Sequence, residues 1–405
     1  MIEVGVQQKE TSYRWIVLIL GALTNTIAVA APSMAMPVLF QEISDDLGLN
    51  LVQIGAIWGM GSLTGILTSL IGGTIGDRYG TKRTLMVACL LTGTTGALRG
   101  FSKDFSTLSL TILLYGFVTP AIATNVHKTC GIWFSKKQLG LANGVVAMGM
   151  AMGFMIGSLI SATVMSPLLG GWRNVLIVYG VLAILIGIIW QFTRNAPDGF
   201  VASQSTSGAL SLRQAFSQVI RIRRIWFLGL ALMGFSGCIQ GTLGYLPLYL
   251  RRIGWPASSA DGALASFHAL SMIFVIPLAL LSDRLGRRKP ILFAGALITT
   301  IGVGLLSVAQ GSSVWILVMM VGLFRDGFMA VFMTTVIETK SVGMHFAGTA
   351  VGLTLLLSSL GSLLSPPIGN SLAEINLGFP FFFWALLAAL ASFAFLRLRE
   401  EFETG

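Results

Sequence analysis

The sequence is short of the residues on which soluble proteins and many enzymes depend. Charged residues make up 10% of its 405 positions, whereas a typical soluble domain carries about 25%. The cysteines Cys89, Cys130 and Cys238 are scattered through apolar runs, a spacing that excludes a disulfide framework and a cysteine metal site. No G-x-x-x-x-G-K-[ST] motif is present, which argues against transport driven by ATP. No nucleophile stands beside a base at motif spacing, so we expect no enzyme, no resident metal and no cofactor.

Apolar residues fill the chain instead. They make up 54% of it, in runs of roughly 18 or more residues that are long enough to cross a bilayer. These runs predict twelve spans, at 14–38, 51–76, 82–101, 105–132, 138–165, 172–193, 224–250, 259–282, 290–310, 313–338, 345–371 and 377–397. We therefore expect an all-α membrane protein with two six-helix bundles, at 1–193 and 224–405, and a cytoplasmic linker at 194–223.

The formal net charge of +10 indicates topology rather than nucleic-acid binding. Most lysines and arginines fall in alternate loops and in the termini, whereas the opposite loops hold Lys103, Arg173, Arg251 and Arg252. Positive residues concentrate on the cytoplasmic side of membrane proteins. We therefore expect a multi-pass protein of the cell inner membrane, with both termini in the cytoplasm and with lipid, not nucleic acid, around it.

One pattern occurs once in each half. Asp77-Arg78-Tyr79-Gly80-Thr81-Lys82-Arg83 follows the second span, and Asp283-Arg284-Leu285-Gly286-Arg287-Arg288 follows the eighth. Glycine permits a tight turn, and the basic residues hold that turn in the cytoplasm. Duplicated halves are typical of secondary transporters. The residues expected to take part in conformational gating are Asp77, Arg78, Gly80, Arg83, Asp283 and Arg284.

On these residues the chain resembles the major facilitator superfamily, over nearly its whole length. The turn at Asp77 matches the family's signature cytoplasmic loop, and residues 133–144 and 171–173 are similar to other family segments. The resemblance implies alternating access, in which two bundles rock around a central site lined mainly by helices 1, 4, 7 and 10. Residues 133–144 also look like segments of nitrate/nitrite, cyanate and oxalate/formate porters. Where the nitrate branch has arginines in the second and eighth spans, this chain offers Trp58 and His268.

Ionisable groups inside predicted spans are the most informative residues, because an unpaired charge is costly in lipid. Arg325 and Asp326 lie near the middle of the tenth span. Adjacent helical residues point roughly 100° apart, so we expect these two not to pair well with each other. An arginine fork suits a carboxylate or a nitrate-like oxyanion, so Arg325 is the expected anion-binding residue. Asp326 either holds Arg325 through a neighbour or takes up a proton, and His268 either relays a proton or bonds a carbonyl group.

Polar residues on helices 1, 4 and 7 complete the expected site. Lys128 is either a second cationic contact or a side chain that extends to the cytoplasmic interface, and Asn125 shares its helix face. Arg99, at the outer end of the third span, is expected to anchor the helix at the membrane interface. The remaining expected substrate contacts are Asn25, Gln240 and Tyr245.

Glycines repeat every four residues along the fifth span, at Gly149, Gly153 and Gly157. A face without side chains lets a neighbouring helix approach closely. The glycines serve either packing alone or a gating role, in which this face slides against the eighth span. The Gly-Pro pair common in this span of the family's antiporters is absent.

These features favour a secondary transporter of a small organic anion of the monocarboxylate kind, working as a monomer through proton symport or anion exchange. Two alternatives stay open. One is a proton-coupled exporter of drugs or other hydrophobic compounds with Asp326 as its acid, although the first six spans lack the buried carboxylate that exporters of cationic drugs usually need. The other is a nitrate- or cyanate-type inorganic anion porter.

Overall fold

The computed structural model describes residues 12–64, 75–196, 217–339 and 342–397, and in these ranges the regular structure is helical. We number the helices α1 (Tyr13–Leu47), α2 (Leu51–Met60), α3 (Thr81–Leu98), α4 (Phe105–Trp133), α5 (Lys136–Ile160), α6 (Trp172–Gln191), α7 (Arg223–Arg252), α8 (Ala257–Leu285), α9 (Lys289–Leu306), α10 (Ser313–Ile337), α11 (Gly343–Ser371) and α12 (Phe379–Arg397).

Eleven of these helices lie in segments long and apolar enough to cross a membrane. The exception is α2, which ends at Met60 and is followed by a turn. The inner part of the predicted second span, residues 65–74, lies outside the described residues, and so does most of the predicted linker, at 197–216.

Helix α1 is longer than the predicted first span, which ended at residue 38. It passes through a π-helical segment, Asn25–Ala30, and ends at Leu47, where Gly48 adopts φ 63°. The acidic residues beyond residue 38 do not stop the helix, because they have partners within α1 or on neighbouring segments. Asp46 Oδ2, for example, lies 2.8 Å from Arg173 Nη2 at the start of α6.

The helices pack in two groups with the same internal pairing. In the first bundle α1 contacts α5, and α3 contacts both α4 and α6. In the second bundle α7 contacts α11, and α9 contacts both α10 and α12. Between the bundles, α1 contacts α7, α2 contacts α11 and α5 contacts α8. The predicted fold, two matching helical bundles, is confirmed.

The helix ends form two faces. The terminal face carries Tyr13, Asp77, Trp133, Asp283 and Arg397, and the distal face carries Leu47, Lys103, Arg252 and Gln310. On the distal side the bundles are joined by hydrogen bonds. Asn370 Nδ2 donates to the carbonyl of Leu51 at 2.8 Å, and Trp58 Nε1 donates to the carbonyl of Gln240 at 2.6 Å. The bundles therefore meet in the distal half of the protein.

Small residues bring α1 and α5 into backbone contact within the first bundle. A Cβ atom added to Gly153 would lie 2.6 Å from the carbonyl oxygen of Thr26, and Thr26 Oγ1 donates to the carbonyl of Gly149 at 2.7 Å. Gly157 packs on α1 in the same way. Helix α1 occupies this glycine face, which agrees with the packing alternative rather than with a face that slides against α8. Helix α8 instead meets the part of α5 that carries Phe154.

Candidate functional site

Arg325 and Asp326 lie midway along α10 and form an ion pair. Arg325 Nη1 is 2.6 Å from Asp326 Oδ1. The prediction that these neighbours would not pair was wrong, because the long arginine side chain curls back over the helix surface and spans the angle between the two residues. The side chains are 26% and 29% exposed, so the pair borders accessible space in the middle of the protein.

Asp326 is also held from α8. Ser271 Oγ donates to Asp326 Oδ2 at 2.6 Å, and the backbone N–H of Asp326 donates to Ser271 Oγ at 3.2 Å. Both carboxylate oxygens therefore have partners, one on each helix, which fixes the side chain in place. Ser271 was not predicted, although its position three residues after His268 was a usable signal.

The Arg325 guanidinium faces the first bundle. Arg325 Cζ lies 5.6 Å from the centre of the Phe154 ring on α5, within the range of a cation–π interaction. The His268 ring lies 5.3 Å from the same Phe154 ring. Three predicted residues, Arg325, Asp326 and His268, thus come together at the interface between the bundles. Phe154 was not predicted, because a phenylalanine in an apolar helix gives no sign of its partner.

His268 is 1% exposed and packs edge-on against Phe267. Its Nε2 atom has no hydrogen-bond partner among the described residues. The predicted bond to a carbonyl group is therefore absent at this nitrogen within that part of the chain. A buried imidazole nitrogen without a partner is available to a proton or to a bound molecule.

Lys128 and Asn125 lie elsewhere. Lys128 Nζ is 2.6 Å from Asp77 Oδ1 at the terminal face, because α4 ends little more than one turn later. Asn125 is fully buried, packs against Gly76 and donates to the carbonyl of Ala121 at 2.8 Å. The structure therefore agrees with the alternative in which Lys128 extends toward the helix end, and it does not bring Lys128 or Asn125 into the cluster around Arg325.

Asn25 and Tyr245 are buried away from open space. Asn25 is 1% exposed, and neither amide atom has a partner among the described residues. Tyr245 is 1% exposed, and its hydroxyl donates to the carbonyl of Leu377 at 3.2 Å. The Tyr245 ring packs against α12, on Phe381 and Trp384, so the substrate contact expected of Tyr245 stays a prediction. Gln240 is half-buried, at the bundle interface.

Arg99 is not the interfacial anchor that we predicted. It is 2% exposed, its Cζ lies 4.0 Å from the centre of the Tyr115 ring, and its Nε donates to the carbonyl of Gly96 at 3.2 Å. The ring of Tyr115 covers the guanidinium, and α3 and α4 enclose it.

The two terminal turns carry the residues predicted for gating. In the first turn Gly80 adopts φ 84° ahead of α3, a conformation that favours glycine. Asp77 pairs with Lys128, and Arg78 lies 5.4 Å from the centre of the Tyr79 ring. Arg83 is exposed near the start of α3.

In the second turn Arg288 joins two carboxylates. Its guanidinium contacts Asp283 Oδ1 at 2.5 Å and Glu338 Oε1 at 3.1 Å, while Arg284 is exposed. The hydrogen bonds to Glu338 and Asp283 raise the pKa of Arg288, so it stays charged. Arg288 thereby ties the turn to the end of α10.

The described residues contain no group of three or more histidines, cysteines or acidic side chains that could hold a metal ion. The chemistry that the central cluster offers is therefore that of its own side chains. It presents a partly exposed guanidinium, a carboxylate already bound to it and a buried imidazole.

Comparison with known proteins agrees with this architecture. The probable nitrate/nitrite antiporter NarK1 of Thermus thermophilus is 28% identical, over 96% of this chain and 92% of its own length. The gallate transporter of Pseudomonas putida is 23% identical, over 95% of this chain and 90% of its own length. A bacterial homolog of the human lysosomal transporter Spinster, in an inward-facing and occupied conformation, superposes with a TM-score of 0.76 at 16% identity, covering 95% of this chain and 97% of that one.

A family model provides the assignment. The model of the Major Facilitator Superfamily matches residues 18–366 and 263–405. The chain therefore belongs to the Major Facilitator Superfamily, a family of membrane transporters and not of enzymes.

Proposed function

We propose that this protein transports a small organic anion of the monocarboxylate kind by alternating access. The observation that carries the proposal is the Arg325 guanidinium, which lies mid-span, partly exposed and between the bundles. A charged side chain is costly at that depth, and such residues usually line a substrate or ion pathway. The planar guanidinium can form two parallel hydrogen bonds with a carboxylate. The names of the similar transporters, for nitrate/nitrite and gallate, support an anionic substrate.

The ion pair suggests how a proton is coupled to the anion. Arg325 Nη1 donates a hydrogen bond to Asp326 Oδ1, and a substrate carboxylate would need the same donor. Protonation of Asp326 removes its negative charge and frees Arg325, so the anion and the proton bind together. This order of events produces proton symport. In anion exchange, a second anion would displace Asp326 without a proton.

The proposed orientation places the terminal face in the cytoplasm of the cell, at the inner membrane. The basic turns after α2 and α8 support it, through the preference of lysine and arginine for that side. The bundles at 1–193 and 224–405 would rock about the linker at 194–223. In that orientation, contact between the bundles on the distal side would leave the central site open toward the cytoplasm. Pairing at Asp77 and Asp283 would regulate that movement.

Nitrate or a similar inorganic anion is the second candidate. Similarity to the probable nitrate/nitrite antiporter favours it. One feature weighs against nitrate. The nitrate branch is marked by arginines in the second and eighth spans, and in this chain those spans present Trp58 and His268 at the bundle interface.

Uptake into proteoliposomes tests the proposal. We would offer lactate, gallate, glucuronate and nitrate, with and without an inward proton gradient. Loss of charge-assisted hydrogen bonds costs roughly 1.5–3 kcal/mol, so Arg325→Ala should reduce uptake about 10- to 100-fold, with part restored in Arg325→Lys. Arg252→Ala, at an exposed arginine on the distal face, serves as the matched control and should transport normally.

Asp326→Asn separates binding from coupling. We expect it to bind anion at any pH but to lose the response to the proton gradient. Full uptake by Arg325→Ala would contradict the anion site. Efflux of hydrophobic dyes that is lost in Asp326→Asn, with no uptake of any anion, would favour the exporter instead.

A further inference from the structure

A second carboxylate lies near the bundle interface, distal to the Arg325 cluster. Asp261, in the second turn of α8, is completely buried, and its Oδ1 lies 2.6 Å from Arg251 Nη2 on α7. Its Oδ2 is also buried and has no hydrogen-bond partner among the described residues. A buried acceptor without a donor is unfavourable. Asp261 was missed in the sequence because it lies close to the end of a predicted span, where acidic residues are common.

The first bundle brings a carboxylate to this part of α8. Helix α8 contacts the segment Ser161–Met165 that follows α5, and the next residue, Ser166, bonds Glu42 on the distal part of α1. Ser166 Oγ donates to Glu42 Oε2 at 2.6 Å and holds it in place. Arg251 contacts Asp261 from within the second bundle, whereas Glu42 belongs to the first bundle.

The other charged groups nearby are engaged elsewhere or exposed. On α1, Asp46 pairs with Arg173 at the start of α6, and Asp45 accepts hydrogen bonds from Gln41. On α7, Arg252 is exposed. On α10, the residue packed against this part of α8 is Trp315, which carries no charge. The charged groups that remain near Asp261 are therefore Arg251 and Glu42.

We propose that Asp261 binds a proton on Oδ2 and that this proton is bound when the distal halves of the bundles close. In the closed arrangement an ionised Asp261 would be out of water and near Glu42, and both conditions disfavour its charge, while the contact with Arg251 favours it. That contact lies within the second bundle, so it is kept when the distal halves of the bundles separate. Separation of α1 from α7 and α8 admits water and removes the repulsion, so the open arrangement favours the carboxylate. Proton binding and distal closure therefore support each other.

This site lies on the same helix as the central cluster. Asp261 and His268 are separated by about two turns of α8, or roughly 10 Å along its axis, and share one face. Ser271, which holds Asp326, is one turn further. A single rigid helix thus joins the distal proton site to the groups around Arg325. The inference goes beyond the proposed function and depends neither on the substrate nor on proton uptake by Asp326.

Distance measurements without substrate test it. Spin labels at Lys103→Cys and Gln310→Cys, exposed positions on the distal ends of the two bundles, report closure in lipid nanodiscs between about pH 5 and about pH 9. We expect the ratio of closed to open molecules to fall as pH rises, by at most about tenfold per pH unit for one proton. Asp261→Asn should stay closed at every pH, and Glu42→Gln should show a weaker response because the repulsion is gone.

Asp46→Asn is the matched control, since it removes a carboxylate of α1 that pairs within its own bundle, and it should respond to pH as the wild type does. Infrared difference spectra add a direct readout, a protonated carboxyl band that Asp261→Asn lacks. A wild-type distance that does not change with pH, or an unchanged response in Asp261→Asn, would overturn the proposal. If Asp261→Asn does not fold, an undiminished response in Glu42→Gln would overturn it as well. Because no substrate is present, failure here leaves the Arg325 test untouched.

Discussion

The two bundles are alike in packing and unlike in charge. In the first, Gly153 of α5 meets the backbone of α1, and in the second, Gly361 of α11 meets the backbone of α7 at Met233. The ionisable residues of the central cluster follow no such symmetry, since Arg325, Asp326 and His268 belong to the second bundle, as does Asp261, whereas the buried Arg99 of the first bundle is enclosed by α3 and α4. The first bundle contributes Phe154 and Glu42 to the same interface. The two bundles thus share their helix packing, whereas the second bundle supplies most of the ionisable side chains at the interface.

A similar difference separates the terminal turns. Asp77 contacts Lys128, with 70% of the aspartate exposed, whereas Asp283 shares Arg288 with Glu338. Removal of Asp77 therefore leaves Lys128 without that carboxylate, while removal of Asp283 leaves Arg288 with one. In the second turn one arginine thus bonds two carboxylates.

The largest effect on stability is expected at the glycine contacts, which are present in both bundles. An added methyl group at Gly153 or Gly361 meets backbone, which cannot move away, so Gly153→Ala and Gly361→Ala should each destabilise the protein by about 1–3 kcal/mol. Gly144 on α5 and Gly352 on α11 have open space at the Cβ position. Alanine at these two controls should be neutral or stabilise by up to about 1 kcal/mol. Thermal unfolding in detergent measures all four, and equal effects at Gly153 and Gly144 would contradict the packing.

A smaller effect is expected at the terminal turns. Exposed ion pairs are worth up to about 1 kcal/mol, so Asp77→Ala should slow turnover by roughly fivefold at most, and Asp283→Ala should change it less. Substrate affinity should be unaffected in both, because the turns lie far from Arg325. Initial rates of uptake at several substrate concentrations separate the two quantities. Near-normal turnover in Asp77→Ala would count against a gating role for that turn.

The smallest effect on stability is expected at the N-terminal caps of two corresponding helices, α4 in the first bundle and α10 in the second. Asp104 caps α4 by accepting a hydrogen bond from the backbone N–H of Thr107, which lowers the pKa of the carboxyl group. At the start of α10, Ser312 makes no such side-chain bond. A lowered pKa stabilises the folded state at neutral pH, and this contribution is lost as pH falls through the folded-state pKa. The difference in Tm between wild type and Asp104→Ala should therefore be constant near neutrality and shrink below about pH 4.

Two substitutions serve as comparisons for that measurement. Asp104→Asn keeps a capping side chain without the charge and should show less dependence on pH. Ser312→Ala should change Tm little at any pH. A difference between wild type and Asp104→Ala that grows in acid would contradict the assignment.

The positions of helices and of charged residues within them were predictable from the sequence. The side chains that contact each other were not. Hydropathy located most helices to within a few residues. The exceptions are α1, which extends past acidic residues that have hydrogen-bond partners, and α2, which ends at Met60 within the predicted second span. Arg325 was identifiable because a charge is conspicuous in an apolar run. Its ion pair with Asp326 was predicted wrongly, because helix geometry places the Cβ atoms but does not limit where a long side chain ends.

Sequence alone determined that this chain is a duplicated, all-helical membrane protein with a charged site in the second half, because span length, charge asymmetry and repeated turns are all properties of short segments. Tertiary structure decided which charges meet. Lys128 joins Asp77 at the terminal face, Phe154 covers Arg325 from the other bundle, and Ser166 donates a hydrogen bond to Glu42. These pairs are far apart along the chain and depend on helix rotation and on the contact between bundles. Residue spacing does not specify either of those.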